Sequence, residues 1–201
     1  STKHNQYRLM HYDDILVGLP SVGPHTNGYS LINNIVKNNG LPNDKDIIYP
    51  LLEPHKSYLR EIEEFTNVFG HDQIKAMCHI TGGGMLDNLE RVIPEHFQIN
   101  LDIDSFYLPK WCQYIMNKGN VTLDEMQQVY NCGIGFVIVV SPHVYEKMNQ
   151  LSFSFTKIGN VSTFRRVQTD SFPLCLVTIH HRAIPRSCNC THTHTHTQAC
   201  V

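Results

Sequence analysis

Segments with strand character alternate with segments of helical character along most of this chain. The strand-like segments, which carry buried or alternating apolar side chains, are residues 14–19, 75–80, 99–103, 134–140 and 153–161. The helix-like segments, with apolar residues on one face, are residues 30–36, a stretch after Pro54, 85–92, 108–117, 122–130 and 144–151. Such frequent alternation predicts an α/β or α+β layered fold, in which helices pack on a mixed sheet.

Two of these helices carry clear start signals. Thr122 and Glu125 have the spacing of a capping box, in which each side chain satisfies a free backbone N–H of the other residue. Ser141 followed by Pro142 places an N-cap and a first-turn proline before the helix at residues 144–151. Both boundaries are therefore expected to hold in the folded chain.

Composition excludes several classes of function. Sixteen basic residues against eighteen acidic ones give a net charge of −2, so no basic field for nucleic acid or anionic membrane is expected. The longest purely apolar run, residues 136–140, is far shorter than the ~18 residues that span a bilayer. The opening residues do not predict a signal peptide. Single cysteines scattered at Cys78, Cys112 and Cys132 suit a reducing compartment, so the domain is predicted to be cytoplasmic.

A glycine-containing loop joins the first predicted strand to the first predicted helix. Such a loop aims free backbone N–H groups and the positive helix end at one point, which favours a phosphate or a developing oxyanion. A plain turn with an N-cap is the alternative. The candidate binding residues are Ser21, Gly23, Thr26, Asn27, Gly28 and Ser30, with His25 as the candidate catalytic residue.

A second strand-to-helix loop contains three consecutive glycines. It is neither a Walker loop nor a dinucleotide fingerprint, and a run of glycines there indicates close approach of a ligand or of another backbone, or simply a flexible loop. Its candidate binding residues are His79, Thr81, Gly82, Gly83, Gly84 and Asn88. A third motif, residues 131–135, either binds a ligand or only allows close strand packing. Cys132 within it is a weak candidate nucleophile because no base adjoins it in sequence.

Together these stretches resemble the phosphoribosylformylglycinamidine cyclo-ligase (AIR synthetase) family. The resemblance is carried, in order, by Leu-Pro-Ser-Val-Gly-Pro-His-Thr-Asn-Gly-Tyr-Ser-Leu at residues 19–31, His-Ile-Thr-Gly-Gly-Gly-Met-Leu-Asp-Asn at 79–88 and Tyr-Asn-Cys-Gly-Ile-Gly at 130–135. It covers residues 7 to about 161 and only the C-terminal half of the family. Residues 1–165 are therefore expected to form an AIR synthetase-like C-terminal domain, followed by a disordered tail, 166–201, that matches nothing in the family.

The resemblance implies an ATP-dependent ligase of de novo purine synthesis. ATP would activate the formamide oxygen of formylglycinamidine ribonucleotide, and the amidine nitrogen would then close the imidazole ring of 5-aminoimidazole ribonucleotide. ATP and Mg²⁺ would bind mainly through the family's N-terminal domain, which is also the expected partner, in a homodimer. His25 would polarise the formyl oxygen or move a proton, since an ordinary imidazole reaches both protonation states near neutral pH.

The chain departs from the family in one loop. Residues 53–58 read Glu-Pro-His-Lys-Ser-Tyr where the family usually has Thr-Pro-Thr-Arg/Lys-x-Tyr, so His55 replaces a threonine. Val22 and Thr26 each replace a usual serine. Two alternatives stay open: a related ATP-dependent enzyme such as thiamine-phosphate kinase or selenophosphate synthetase, and an inert fragment or partner-binding module.

The last part of the chain differs from the rest in composition. Cys188 and Cys190 precede an alternating Thr-His run, residues 191–197, which could bind zinc or copper but is also what a (CA)n nucleotide repeat encodes. Read-through, mis-splicing or an error in the predicted gene is the preferred explanation of such a repeat, ahead of an evolved metal site. No metal ligand is predicted within the domain itself.

Overall fold

The fold is built on one seven-stranded sheet with helices packed on it. A computed structural model of the chain describes residues 10–102, 108–163, 176–180 and 195–199, the last two segments and Thr163 as backbone only. The strands are β1 (Ile15–Pro20), β2 (Ala76–His79), β3 (Phe97–Asp102), β4 (Ile134–Val140), β5 (Thr156–Thr163), β6 (Leu176–His180) and β7 (Thr195–Ala199). The α-helices are α1 (Tyr29–Asn39), α2 (Lys45–Leu52), α3 (Leu59–Phe69), α4 (Gly84–Glu90), α5 (Lys110–Gly119), α6 (Leu123–Val129) and α7 (Pro142–Lys147).

The sheet is mixed, as the sequence predicts. Its order is β2-β4-β1-β5-β3-β6-β7, and the first five strands pair antiparallel. Strand β6 runs parallel to β3, with Ile99 opposite Val177, and β7 returns antiparallel to β6. The family's layered architecture is therefore present over the strands that the sequence resemblance covers.

Strand β1 lies in the middle of the sheet and is buried on both faces. Leu16 contributes to the core on one face, together with β2, β3, β4, β5 and α4. Ile15 and Val17 point to the other face, where α3 and α7 cover them. A Cβ on Gly18 would come within 2.9 Å of Ile134 and Ile158, so glycine is required for these side chains to close over the strand.

A third apolar cluster joins the remaining helices. Helices α1, α2, α5 and α6 meet around Trp111 and Tyr130, both 1% exposed. Tyr130 also lies just before β4 and donates a hydrogen bond to the Gly28 carbonyl at 2.9 Å. This helical cluster therefore supports the start of α1, where one candidate loop ends.

Most predicted elements are confirmed, including both capped helix starts. The Thr122–Glu125 capping box is formed, and the Ser141 hydroxyl accepts from Val144 N–H. Helix α2 was not predicted from the sequence, because it is only eight residues long and contains Pro50. Its start is signalled by Asp44, whose side chain accepts from Asp46 N–H at 2.9 Å.

Two short strands, β6 and β7, lie within residues 166–201, for which the sequence predicts disorder. Their position follows from the edge of β3, whose free backbone groups offer a template for a further strand. The other residues of that segment lie outside the described residues. No helix in the described part of the chain is both long and apolar enough to cross a bilayer.

Candidate functional site

The loop between β1 and α1 adopts an unusual backbone. His25 and Thr26 both have positive φ, 52° and 66°, and Gly28 follows at 67°. Non-glycine residues in this region cost of order 1–3 kcal/mol each and persist only where surrounding contacts impose them. The loop is thus held in a shape that turns the His25 side chain inward, where it is 3% exposed.

Asn131 fixes the beginning of this loop. Its Nδ2 donates to the Gly23 carbonyl at 2.7 Å, and its Oδ1 accepts from Gly133 N–H and from the Ser21 hydroxyl, each at 2.9 Å. Asn131 is fully buried, so the amide has no access to water. The third glycine motif is therefore joined to the first through one side chain.

Asn88 fixes the glycine loop in a similar way. Its Nδ2 donates to the Gly84 carbonyl at 2.6 Å and lies near the Thr81 and Gly82 carbonyls, while its Oδ1 accepts from the Thr81 hydroxyl at 3.2 Å. All of these contacts are within the loop. Asn88 thus holds the loop's shape, and the Gly84 N–H also donates within the loop, to the Thr81 carbonyl at 3.3 Å.

The two loops meet. A Cβ on Gly82 would lie 3.6 Å from Asn27 Oδ1, and the ring centroids of His25 and His79 are 5.6 Å apart. The His25 ring nitrogens and Asn27 Nδ2 are buried without a hydrogen-bond partner among the described residues. Buried polar atoms normally have partners, so unpartnered ones between two glycine-containing loops indicate a ligand site.

Three histidines and a tyrosine form one wall of this site. His25 stacks on His55 with ring centroids 4.2 Å apart, and His55 Nε2 lies 2.6 Å from His79 Nε2. Tyr58 packs beside them and donates to the Pro20 carbonyl at 3.1 Å. His55 and Tyr58 were not predicted as site residues. Their only sequence signal is their place in the loop that departs from the family.

Burial and repulsion between neighbouring rings favour the neutral form of two of these imidazoles, His25 and His79. Desolvation, with added repulsion from His55, His79 and Lys56, lowers the pKa of His25 from 6.5 to about 4. Desolvation and repulsion from His55 also lower the pKa of His79. An ordinary imidazole, as predicted for His25, would reach both protonation states near neutral pH, whereas the burial of His25 favours the neutral ring at pH 7.

The last glycine of the third motif, Gly135, is required for ring packing in the site. A Cβ there would overlap the Tyr58 hydroxyl and the His25 ring, so the absence of a side chain lets both rings lie against β4. Cys132 is instead 4% exposed in the helical core, where its side chain contacts Cys112. Such an apolar position does not suit a nucleophile.

The other candidate residues fall into two groups. Gly28 is the N-cap of α1 and Gly83 that of α4, and no side chain caps either helix. A Cβ on Gly23 would overlap the Pro50 carbonyl, and one on Gly84 the Gln127 carbonyl, so these two glycines allow close backbone packing. Thr26 and Ser30 are exposed at the rim, with the Thr26 hydroxyl donating to the His25 carbonyl at 2.5 Å.

Comparison with known proteins identifies the family of this chain. The family described as "AIR synthase related protein, C-terminal domain" matches residues 12–166, which include both loops and the Asn131 motif. This chain belongs to that family. The order of strands, glycine loops and helices in the AIR synthase-related domain is therefore what places the three histidines and the two loops together.

The relatives have names from purine biosynthesis. The chain is 39% identical over 160 residues to the phosphoribosylformylglycinamidine cyclo-ligase of Xylella fastidiosa (strain Temecula1), covering 75% of this chain and 45% of that protein. It is 33% identical over 163 residues to the cyclo-ligase of Nitratidesulfovibrio vulgaris, covering 76% and 46%. It is also 39% identical over 136 residues to the Drosophila melanogaster trifunctional purine biosynthetic protein adenosine-3, covering 64% of this chain and 10% of that protein. The chain thus spans less than half the length of these relatives.

Proposed function

We propose that this chain is the substrate-binding half of an ATP-dependent cyclo-ligase that converts formylglycinamidine ribonucleotide into 5-aminoimidazole ribonucleotide. The names of the relatives suggest the reaction. The single observation that carries the assignment to this site is the meeting of the 21–28 loop with the 81–84 loop around buried, unpartnered polar atoms. The complete enzyme would be a cytoplasmic homodimer, and a reducing cytoplasm suits the free, buried Cys78, Cys112 and Cys132.

The ribonucleotide phosphate would lie between the two loops. Uncapped helix starts at Gly28 and Gly83 leave backbone N–H groups for an anion, and the dipole of the eleven-residue helix α1 adds positive potential. Asn27 Nδ2 is a further donor, since it is buried and has no partner within the described residues. Three donor sources around one point fit a phosphate better than an apolar ligand.

His25 would act on the formyl group as a neutral imidazole. Its lowered pKa of about 4 means that the ring carries one N–H donor and one lone pair at pH 7. The N–H can hydrogen-bond to the formyl oxygen as negative charge builds up there, and the lone pair can accept a proton from the attacking amidine nitrogen. The neutral His25 ring, already held in place, can stabilise the charge that develops on the formyl oxygen, and it need not lose a proton before it does so.

ATP and Mg²⁺ fit this half only in part. The two loops and the histidines beside them offer N–H donors and imidazoles, which suit phosphate oxygens, whereas Mg²⁺ prefers carboxylate and water oxygens. In the described ranges the histidine group is the sole cluster of three or more potential metal ligands, and it contains no carboxylate. ATP supplies the phosphoryl group that activates the formyl oxygen, and we assign its Mg²⁺ to the family's N-terminal domain.

The proposal is tested by calorimetric titration of formylglycinamidine ribonucleotide into the chain. Saturable binding is expected, and Gly83→Ala should weaken the affinity at least about tenfold, which is about 1.4 kcal/mol. A Cβ on Gly83 would meet the Asp87 carboxylate at 2.5 Å and occupy the loop surface. Thiamine monophosphate, which also carries a phosphate, should bind much more weakly if the chain is a cyclo-ligase half.

Gly40→Ala is the matched control. Gly40 has φ of 77° against 92° for Gly83, so both substitutions place alanine at a positive φ that residues with a side chain rarely adopt. A Cβ on Gly40 has no atom within 4 Å, and this residue lies at the far end of α1. Its variant should bind within about twofold of the original chain. Equal weakening by both variants, or absence of binding to the folded chain, would contradict the proposed site.

A further inference from the structure

His25, His55 and His79 lie close enough to act together on a single ion. Each offers one ring nitrogen, and these three nitrogens lie within 4.8 Å of one another. From this geometry we propose that the three histidines form a binding site for a borderline transition-metal ion such as Zn²⁺. The inference concerns the chain without nucleotide, since a His25 lone pair bound to a metal ion could not also accept a proton in the proposed reaction.

The nitrogen–nitrogen distances are near those of a metal site, with His55 and His79 now sharing a hydrogen bond. Two nitrogens bound to one tetrahedral Zn²⁺ lie about 3.4 Å apart. His55 Nε2 and His79 Nε2, at 2.6 Å, would need to separate by only about 0.8 Å. His55 comes from the loop after α2, outside regular structure, so its ring can make this adjustment.

The ring of His25 gives an independent indication of a ligand. It is 3% exposed, and neither ring nitrogen has a hydrogen-bond partner in the described part of the chain. Imidazole must be neutral to bind a metal, and the lowered pKa values of His25 and His79 already favour that form. A bound cation would therefore satisfy a buried lone pair without displacing a proton.

The ligand set indicates the class of ion and leaves a position open. Three imidazoles suit zinc, copper, nickel or iron and disfavour Mg²⁺ and Ca²⁺, which need oxygen ligands. His79 is half-buried and His55 lies further toward the surface, so the fourth position faces the solvent side of the cluster. A site with three protein ligands can accept water or an anionic oxygen there.

Nuclear magnetic resonance of the full chain tests the site directly, because the ring resonances of the three site histidines can be followed separately from those of the tail histidines. Titration with Zn²⁺ alone should shift the ring resonances of His25, His55 and His79 together, and the three should saturate at the same zinc concentration. The exposed His71 provides the internal reference and should not change in step with them. Ring signals of the three that stay in place while the amide spectrum shows a folded chain would overturn the proposal.

Affinity measurements provide the second test. Because the tail could also bind metal, the background carries serine at Cys188, Cys190 and Cys200 and asparagine at His192, His194 and His196. In this background, Co²⁺ should give the visible absorption of tetrahedral coordination, and Zn²⁺ should displace it. His55→Thr, which restores the family's usual residue, should weaken Co²⁺ binding at least about 100-fold, since even loss of an outer contact costs about 10–100-fold.

His71→Thr is the matched control for that substitution. Like His55, His71 lies in a surface connection, in its case a 3-10 turn, and it is outside the cluster. Its variant should retain the affinity and the Co²⁺ spectrum. Equal affinity of the His55→Thr and His71→Thr proteins would overturn the proposal, as would an octahedral Co²⁺ spectrum in the unsubstituted cluster.

Discussion

Replacing Asn131 by alanine should separate the first loop from the sheet. The amide is fully buried and holds three partners, Gly23, Ser21 and Gly133. Ser21 is half-buried and can turn to water, but the Gly23 carbonyl and Gly133 N–H are buried and would lose their partner. Each such group costs about 1–3 kcal/mol, so the free energy of unfolding should fall by about 4 kcal/mol.

Urea denaturation monitored by circular dichroism measures this change, and Asn38→Ala serves as the control. Asn38 lies on the exposed side of α1, with one 3.3 Å contact to Asn34, and its replacement should change stability by less than about 0.5 kcal/mol. If Asn131→Ala lost less than about 1 kcal/mol, the buried amide would not be what anchors the loop.

Three further predictions concern stability. Lys75→Met should cost about 3 kcal/mol in urea denaturation, because it leaves Asp14, 1% exposed, without its cation at 2.8 Å. Lys110→Met should cost much less, since Lys110 is 47% exposed, and equal losses would contradict the difference in burial. The pKa of His25 is about 4 in the folded chain and 6.5 ordinarily, so the unfolded chain binds this proton first as the pH falls. The free energy of unfolding should therefore decrease from about pH 6.5 to 4, and decrease less in His25→Gln. Parallel pH profiles of the two proteins would exclude His25 as the cause. Gly135→Ala should lower the free energy of unfolding by about 1–3 kcal/mol and shift the ring resonances of His25 and Tyr58, because its Cβ would overlap both side chains. Unchanged ring resonances would contradict the contact of these two side chains with β4.

The fold was largely predictable because its elements carry local signals. Strand β4 is a continuous apolar run buried on both faces, and α6 and α7 begin at side-chain caps that are recognisable in the sequence. Helix α2 was missed because its proline and short length remove the helical periodicity. Strands β6 and β7 depend on pairing with the edge of β3, a contact between distant residues that no local pattern predicts.

The candidate site was predictable only where glycine marks it. Residues 25–28 and 81–84 stand out because their backbones must turn tightly. Neither loop by itself predicts that the two loops lie together or that they take part in binding. Asn131 acts 108 residues away from Gly23, and His55 joins His79 across 24 residues, so their roles depend on the sheet order. The structure thus adds the partners of the glycine loops, and the functional roles of the candidate residues remain predictions.

The most direct test of the account is to map where formylglycinamidine ribonucleotide contacts the chain. In an amide-detected titration of the isotope-labelled chain, the N–H signals of residues 26–28 and 82–84 should shift together and saturate, because both loops would donate to the same phosphate. The Gly40 amide, at the opposite end of α1, should stay in place. Saturable shifts confined to one loop, or centred away from both, would contradict the conclusion that the two loops form one substrate site.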